Sequence, residues 1–173
     1  MKCWSSSSNR FRVGFSSLLT VFLLLGVSTP AFAASTGDLD LSGSVVAACD
    51  VTVTPVAGVA DNLPLTSAQS GLNVGSVNET CNDADGYSVT AQSANSSVLL
   101  PLGLTSTDSV AYTFSYGGSL VDLTSGAAMN VTDASAPTGS GGAANLVDIS
   151  YANPGFIEAD TYTDTITFTI AAK

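Results

Sequence analysis

Few side chains in this sequence can do covalent or metal chemistry. There is no histidine anywhere, so neither a Ser–His–Asp nor a Cys–His nucleophile can be assembled. The cysteines are Cys3, Cys49 and Cys81, too few for a four-ligand thiolate site. Asn82-Asp83-Ala84-Asp85-Gly86 resembles part of a calcium loop. With Gly86 at the sixth position, Cys81 and Gln92 fall where oxygen ligands, and a final Glu, are required. The segment therefore reads as a solvated hairpin turn. Asp133, Asp148, Glu158 and Asp160 include no pair whose spacing marks a general acid and base. The expectation is a protein without catalytic function, cofactor or metal.

What remains is the chemistry of cysteine pairing and of strand edges. Residues 1–33 read as a signal peptide. Lys2, Arg10 and Arg12 precede a mostly apolar run from Val13 to Val27, and Ala31-Phe32-Ala33 is a small-x-small cleavage signal. Removal leaves 140 of the 173 residues, and takes Cys3 with it. Cys49 and Cys81 are then an even pair in an exported chain, which favours one disulfide. The alternative is two free buried thiols.

Cleavage also leaves fourteen acidic residues facing a single basic one, Lys173, a formal charge of −13. A surface with a single basic group cannot displace the counterions that nucleic-acid binding requires, and it is repelled by anionic membrane surfaces. Sequons at Asn78, Asn95 and Asn130 matter only in a cell that glycosylates them.

The elements that must carry these groups are strands. From Cys49 onward nearly every segment alternates with period 2, and none sustains a helical period. Cys49, Val51 and Val53 share a face until Pro55. Leu72 and Val74 share one, but Val77, Glu79 and Cys81 take the opposite parity, which predicts a bulge near Gly75-Ser76. Tyr87, Val89 and Ala91 follow the Asp85-Gly86 turn. Val110, Tyr112, Phe114 and Tyr116 form an aromatic strand that Gly117-Gly118 turns back toward Leu120 and Val121. Val147, Ile149 and Tyr151 precede an Asn153-Pro154-Gly155 turn. The last strand puts Tyr162, Ile166, Phe168 and Ile170 on one face and four threonines on the other. Short strands with Gly, Pro, Asn and Asp between them predict a single all-β sandwich.

Two edges stand out. Nothing follows Ile170 but three residues, so the last strand is expected to have an uncovered edge. Near the other end, Leu39, Leu41, Gly43 and Val45 alternate with Asp38, Asp40, Ser42 and Ser44. That is the pattern of a strand with one buried face. Such a strand can complete its own sheet or a neighbour's.

These residues resemble the chaperone–usher pilins. Leu39 to Val51 looks like the family's alternating N-terminal extension, with a central Gly, leading to a first-strand cysteine. Val77-Asn78-Glu79-Thr80-Cys81-Asn82 looks like the second half of the family disulfide, and Tyr162 to Ile170 is similar to the last strand of the spore-coat-U-type, archaic branch. The ending Ile170-Ala171-Ala172-Lys173 lacks the Tyr that many classical pilins carry there, which points away from the classical branch and toward the archaic one, or toward a relative that no usher assembles.

The resemblance implies an incomplete immunoglobulin-like sandwich at residues 47–173 with a donor strand at 34–46. It implies a periplasmic chaperone and an outer-membrane usher as partners, and copies of the chain as the polymer. Leu39, Leu41 and Val45 would be the plugs, Gly43 the point where the acceptor groove is tightest, and Tyr162, Ile166, Phe168 and Ile170 the groove's edge strand. The protein would then be secreted through the periplasm into a surface fimbrium supporting adhesion or biofilm growth. The other reading is a secreted sandwich filled by its own leading strand, acting as a monomeric coat or carbohydrate-binding module.

Overall fold

The computed structural model of the chain describes residues 35–103 and 105–173. The signal peptide expected over 1–33 lies outside them. Among the described residues there is no helix. The fold is all-β, and the described residues form eleven strands in antiparallel sheets.

In chain order the strands are β1 (Cys49–Pro55), β2 (Gln69–Cys81), β3 (Tyr87–Ser93), β4 (Val98–Pro101), β5 (Val110–Ala111) and β6 (Thr113–Tyr116). They continue as β7 (Ser119–Val121), β8 (Met129–Ala134), β9 (Ala143–Tyr151), β10 (Tyr162–Thr163) and β11 (Ile166–Ala172). The largest sheet has the order β1-β2-β9-β6-β7. Two three-stranded sheets have the orders β11-β3-β8 and β10-β4-β5.

Period-2 alternation places one row of each strand inward. Val77 of β2, Phe114 and Tyr116 of β6, and Val147, Ile149 and Tyr151 of β9 are buried from the large sheet. They meet Ala91 of β3, Leu99 of β4 and Val110 of β5 in one core. Phe168 of β11 stacks obliquely on Phe114 and Tyr116, with ring centroids 6.3 and 5.7 Å apart, so two sheets share this core.

Cys49 and Cys81 face each other in the β1–β2 register and are joined as a disulfide. The bond closes a loop of 32 residues, which stabilises by about 3–4 kcal/mol through lost loop-closure entropy. The bulge in β2 lies at Asn73–Gly75, one or two residues before the expected place. The Asn73 carboxamide fills it, donating to Gly75 O, Val147 O and Asp148 Oδ1. Gly117 and Gly118 make the expected two-residue hairpin loop, with φ of 55° and 81°.

Three expectations are corrected. Asp85-Gly86 does not close a hairpin: β2 already pairs with β1 on one edge and β9 on the other, so β3 must join a different sheet. The aromatic strand is divided at Tyr112, where the chain passes from the β5 pairing with β4 to the β6 pairing with β9. The last strand is divided at Asp164-Thr165, with β10 on β4 and β11 on β3. In both places all inward residues stay at least half-buried, so the alternation survives a change of sheet.

Gly86 makes the crossover between sheets possible. It is buried at φ 95°, and a Cβ there would collide with the Ala134 carbonyl. Gly86→Ala is expected to destabilise the fold by about 2–4 kcal/mol, through a left-handed backbone and a clash with main chain. Urea denaturation checks this, and an unchanged midpoint would contradict it.

Candidate functional site: a groove between two sheet edges

β1 ends one sheet and β11 ends another, and the two strands lie next to each other. Their directions are opposed. Cys49 and Ile170 pack on the same small cluster of Cys81, Tyr87 and Val89 at one end, while Val53 and Pro55 border a cavity with Ile166 at the other. Among the described residues, β11 has a ladder partner only on its β3 side.

The cavity has a volume of about 610 Å³ and is open to solvent. Its floor is the main core: Val74, Leu99, Tyr112, Val147 and Ile149. Its walls are Val53 of β1, Ile166 and Phe168 of β11, and Leu63 and Leu65 from the segment between β1 and β2. Ile166, Phe168 and Ile170 are half-buried rather than buried, and Val53 is 49 % exposed. Apolar side chains that face solvent along an unpaired strand edge suit an added strand: its backbone would extend the ladder and its alternate side chains would enter the cavity.

The predicted edge-strand residues divide. Ile166 and Phe168 line the cavity on β11. Tyr162 lines it from β10, its hydroxyl donating to Glu158 O at 2.9 Å. Ile170 turns toward the cysteine end and is not part of the lining. Sequence reasoning missed Leu63 and Leu65, which stand in a Leu-Pro-Leu triplet inside a link, and Leu99 of the unrecognised β4.

Residues 35–48 form no strand, and Leu39, Leu41, Val45 and Val46 are all more than 80 % exposed. Nothing lies within 4 Å of a Cβ placed on Gly43. A strand exists only through its pairing, so the alternation of these residues is unexpressed in the single chain.

Two carboxylates hold the groove's frame. At the open end, Asp164 Oδ2 accepts from the Tyr112 hydroxyl and Ser93 Oγ, both at 2.6 Å. Its Oδ1 accepts from the amides of Asn95 and Thr165 at 3.0 and 2.7 Å. This fixes the break between β10 and β11, and it stabilises the neighbouring turn in which Ser96 and Ser97 take left-handed φ of 58° and 61°.

Toward the cysteine end sits Glu79, opposite Val51 and fully buried. Its oxygens accept from Tyr116 at 2.5 Å, Thr132 at 2.7 Å and Tyr87 at 2.9 Å. Tyr116 belongs to the large sheet, and Tyr87 and Thr132 to the β11-β3-β8 sheet, so this cluster ties the sheets together. The sequence signal was present: Glu79 keeps the inward parity of Val77 and Cys81.

Compared with known proteins, the chain matches no family model and no curated protein.

Burial, then the hydrogen bond and charge of Glu79, push the Tyr87 hydroxyl up to about 12 from 10.0. Tyr116 is raised by burial and Glu79, and Tyr112 by burial and Asp164. The unfolded tyrosines ionise near 10.0, so this stabilisation is complete below pH 10 and is lost as pH rises through about 12. Denaturation followed against pH is expected to show stability falling only above pH 10 from this source; a flat profile to pH 12 would contradict it.

Tyr151 supplies a contrast. Its buried hydroxyl has no partner among the described residues. Tyr116→Phe is expected to cost about 1.5–3 kcal/mol, since it removes a hydrogen bond to a buried charged acceptor, whereas Tyr151→Phe is expected to be neutral or stabilising. Equal losses in urea melts of the two variants would contradict the Glu79 account.

Proposed function

We propose that this protein is a pilin-like structural subunit of a secreted surface fibre, an incomplete immunoglobulin-like sandwich that polymerises by donor-strand exchange. The observation that carries this reading is the open apolar groove beside the unpaired edge of β11. The exposed alternating residues Leu39, Leu41, Gly43 and Val45 supply a complementary strand from a second copy.

Ladder hydrogen bonds to β11 would give affinity, and side chains at alternate positions would set the register. Burying one Leu or Val contributes roughly 1.5–3 kcal/mol, so three plugs contribute about 5–9 kcal/mol before any ladder bonds are counted. Ordering about seven residues of arm offsets part of this. The Cys49–Cys81 disulfide anchors β1, the strand that flanks the groove and continues from the arm.

The resemblance to chaperone–usher pilins supplies the rest of the reading. A periplasmic chaperone occupies the groove during export, an outer-membrane usher exchanges it for the next subunit's arm, and the fibre serves adhesion or biofilm growth. No catalysis enters this reading.

Gly43 is the test. Gly43→Leu is expected to abolish the detergent-resistant ladder seen on unheated gels while leaving the urea midpoint unchanged, because no neighbour crowds this position in the single chain. Deleting residues 34–46 is expected to abolish fibres in electron micrographs of expressing cells. Normal fibres from either variant would overturn the donor assignment.

A further inference from the structure

The chain just before Cys49 is not free. Asn82 lies one residue past the disulfide-bonded Cys81 and is itself exposed. Its Oδ1 accepts from the Ala48 amide at 2.6 Å, its Nδ2 donates to Val46 O at 3.1 Å, and its own amide donates to Ala48 O at 3.2 Å. One residue thus prolongs the β1–β2 ladder beyond the Cys49–Cys81 pair, and its side chain fixes Val46 and Ala48 beside the end of β2.

We infer that Asn82 is a positioning residue: by pinning the root of the donor arm at the cysteine end of the groove, it directs the arm to a second copy instead of its own domain. The inference rests on the donor-strand reading above. Its physical content is reach and direction.

All eight strand pairings in the described residues are antiparallel. A strand added to β11 in that manner runs in the same direction as β1, since β1 and β11 are opposed. Its last residue, Val45, would then sit at the Pro55 end of the groove. Val46 is pinned at the Cys49 end. The two ends are separated by the length of β1, roughly 20 Å, whereas adjacent Cα atoms are about 3.8 Å apart. The arm therefore cannot serve its own β11 in this sense.

A reversal of the chain ahead of Val46 would bring the arm back parallel to β11. The turn would then consume Gly43 to Val45 and leave only Leu39 and Leu41 to enter the cavity. Releasing Val46 and Ala48 from Asn82 moves the possible turn toward Cys49 and returns Val45 to the inserted strand. The pin is thus a barrier to self-capping.

The experiment compares full-length wild type, Asn82→Ala and Asn82→Asp after export. It reads the ratio of compact single copies to detergent-resistant ladder, together with hydrogen exchange at the Ala48 amide. For Asn82→Ala, loss of the pin is expected to speed Ala48 exchange and raise the single-copy ratio, each by about fivefold, the weight of one net hydrogen bond. Asn82→Asp keeps the acceptor for Ala48 but sets a carboxylate against the Val46 carbonyl, and is expected to fall between. A merely structural role would lower the urea midpoint without moving the ratio.

Faster Ala48 exchange with an unchanged ratio would overturn the inference and leave the fibre reading standing. So would an unchanged exchange rate. A wild-type protein that forms no ladder at all would overturn both. Should Asn82→Ala fail to fold, the Asn82→Asp ratio alone decides.

Discussion

Glu79 is a carboxylate at the centre of a protein with almost no cations to pair with it. Among the described residues the one ion pair, Lys173 with Asp133, is on the surface. An isolated buried carboxylate is costly, and three hydroxyl donors are what keep it there. Those donors come from β6, β3 and β8, so their convergence requires the two sheets to sit in one relative position. Apolar packing alone tolerates small slides between sheets; short charge-assisted hydrogen bonds do not. The cluster thereby specifies the sheet arrangement as well as contributing to its stability.

The groove follows from where that arrangement is tied and where it is not. Going along the β1–β2 register, the disulfide pair Cys49–Cys81 comes first, then Val51 opposite Glu79. Beyond them, Val53 and Pro55 lie opposite Val77 and Gly75, and there the cavity opens. The disulfide and the Glu79 hydrogen bonds that tie the large sheet to the β11-β3-β8 sheet lie toward one end of β1, and the opening lies toward the other. At the open end Asp164 secures the β10–β11 break, so the edge of β11 is held in place beside the cavity. The arm root at Asn82 belongs to the tied end. Anchor and opening thus stand a strand's length apart, the spacing on which the proposed exchange between copies depends.

Much of this was legible in the residues. Alternation found the inward rows of β2, β3, β6, β9 and β11, and cysteine parity in a chain read as exported favoured the Cys49–Cys81 bond. Gly117-Gly118 announced its hairpin because both positions need left-handed backbone. Alternation does not say which sheet a strand joins. The breaks at Tyr112 and Asp164 depend on a carboxylate gathering partners from residues 93, 95 and 112, a tertiary fact with no local pattern. β4 and β8 were missed for a related reason. Each belongs to a three-stranded sheet, β4 at its centre and β8 at its edge, and carries exposed residues, so neither shows a clean apolar row. Residues 39–45 show the converse: their alternation was plain in the sequence, and they form no strand in the single chain.

Lys173 Nζ donates to Ala134 O at 2.7 Å and pairs with Asp133. No other Lys or Arg occurs after Arg12. Trypsin cleaves after these two residue types, so every peptide bond from Val13 to Ala172 is outside its specificity. Most proteins owe resistance to such an enzyme to their folded shape and surrender it on unfolding. This one carries the immunity in its composition, and an unravelled copy is as safe from digestion as an intact one.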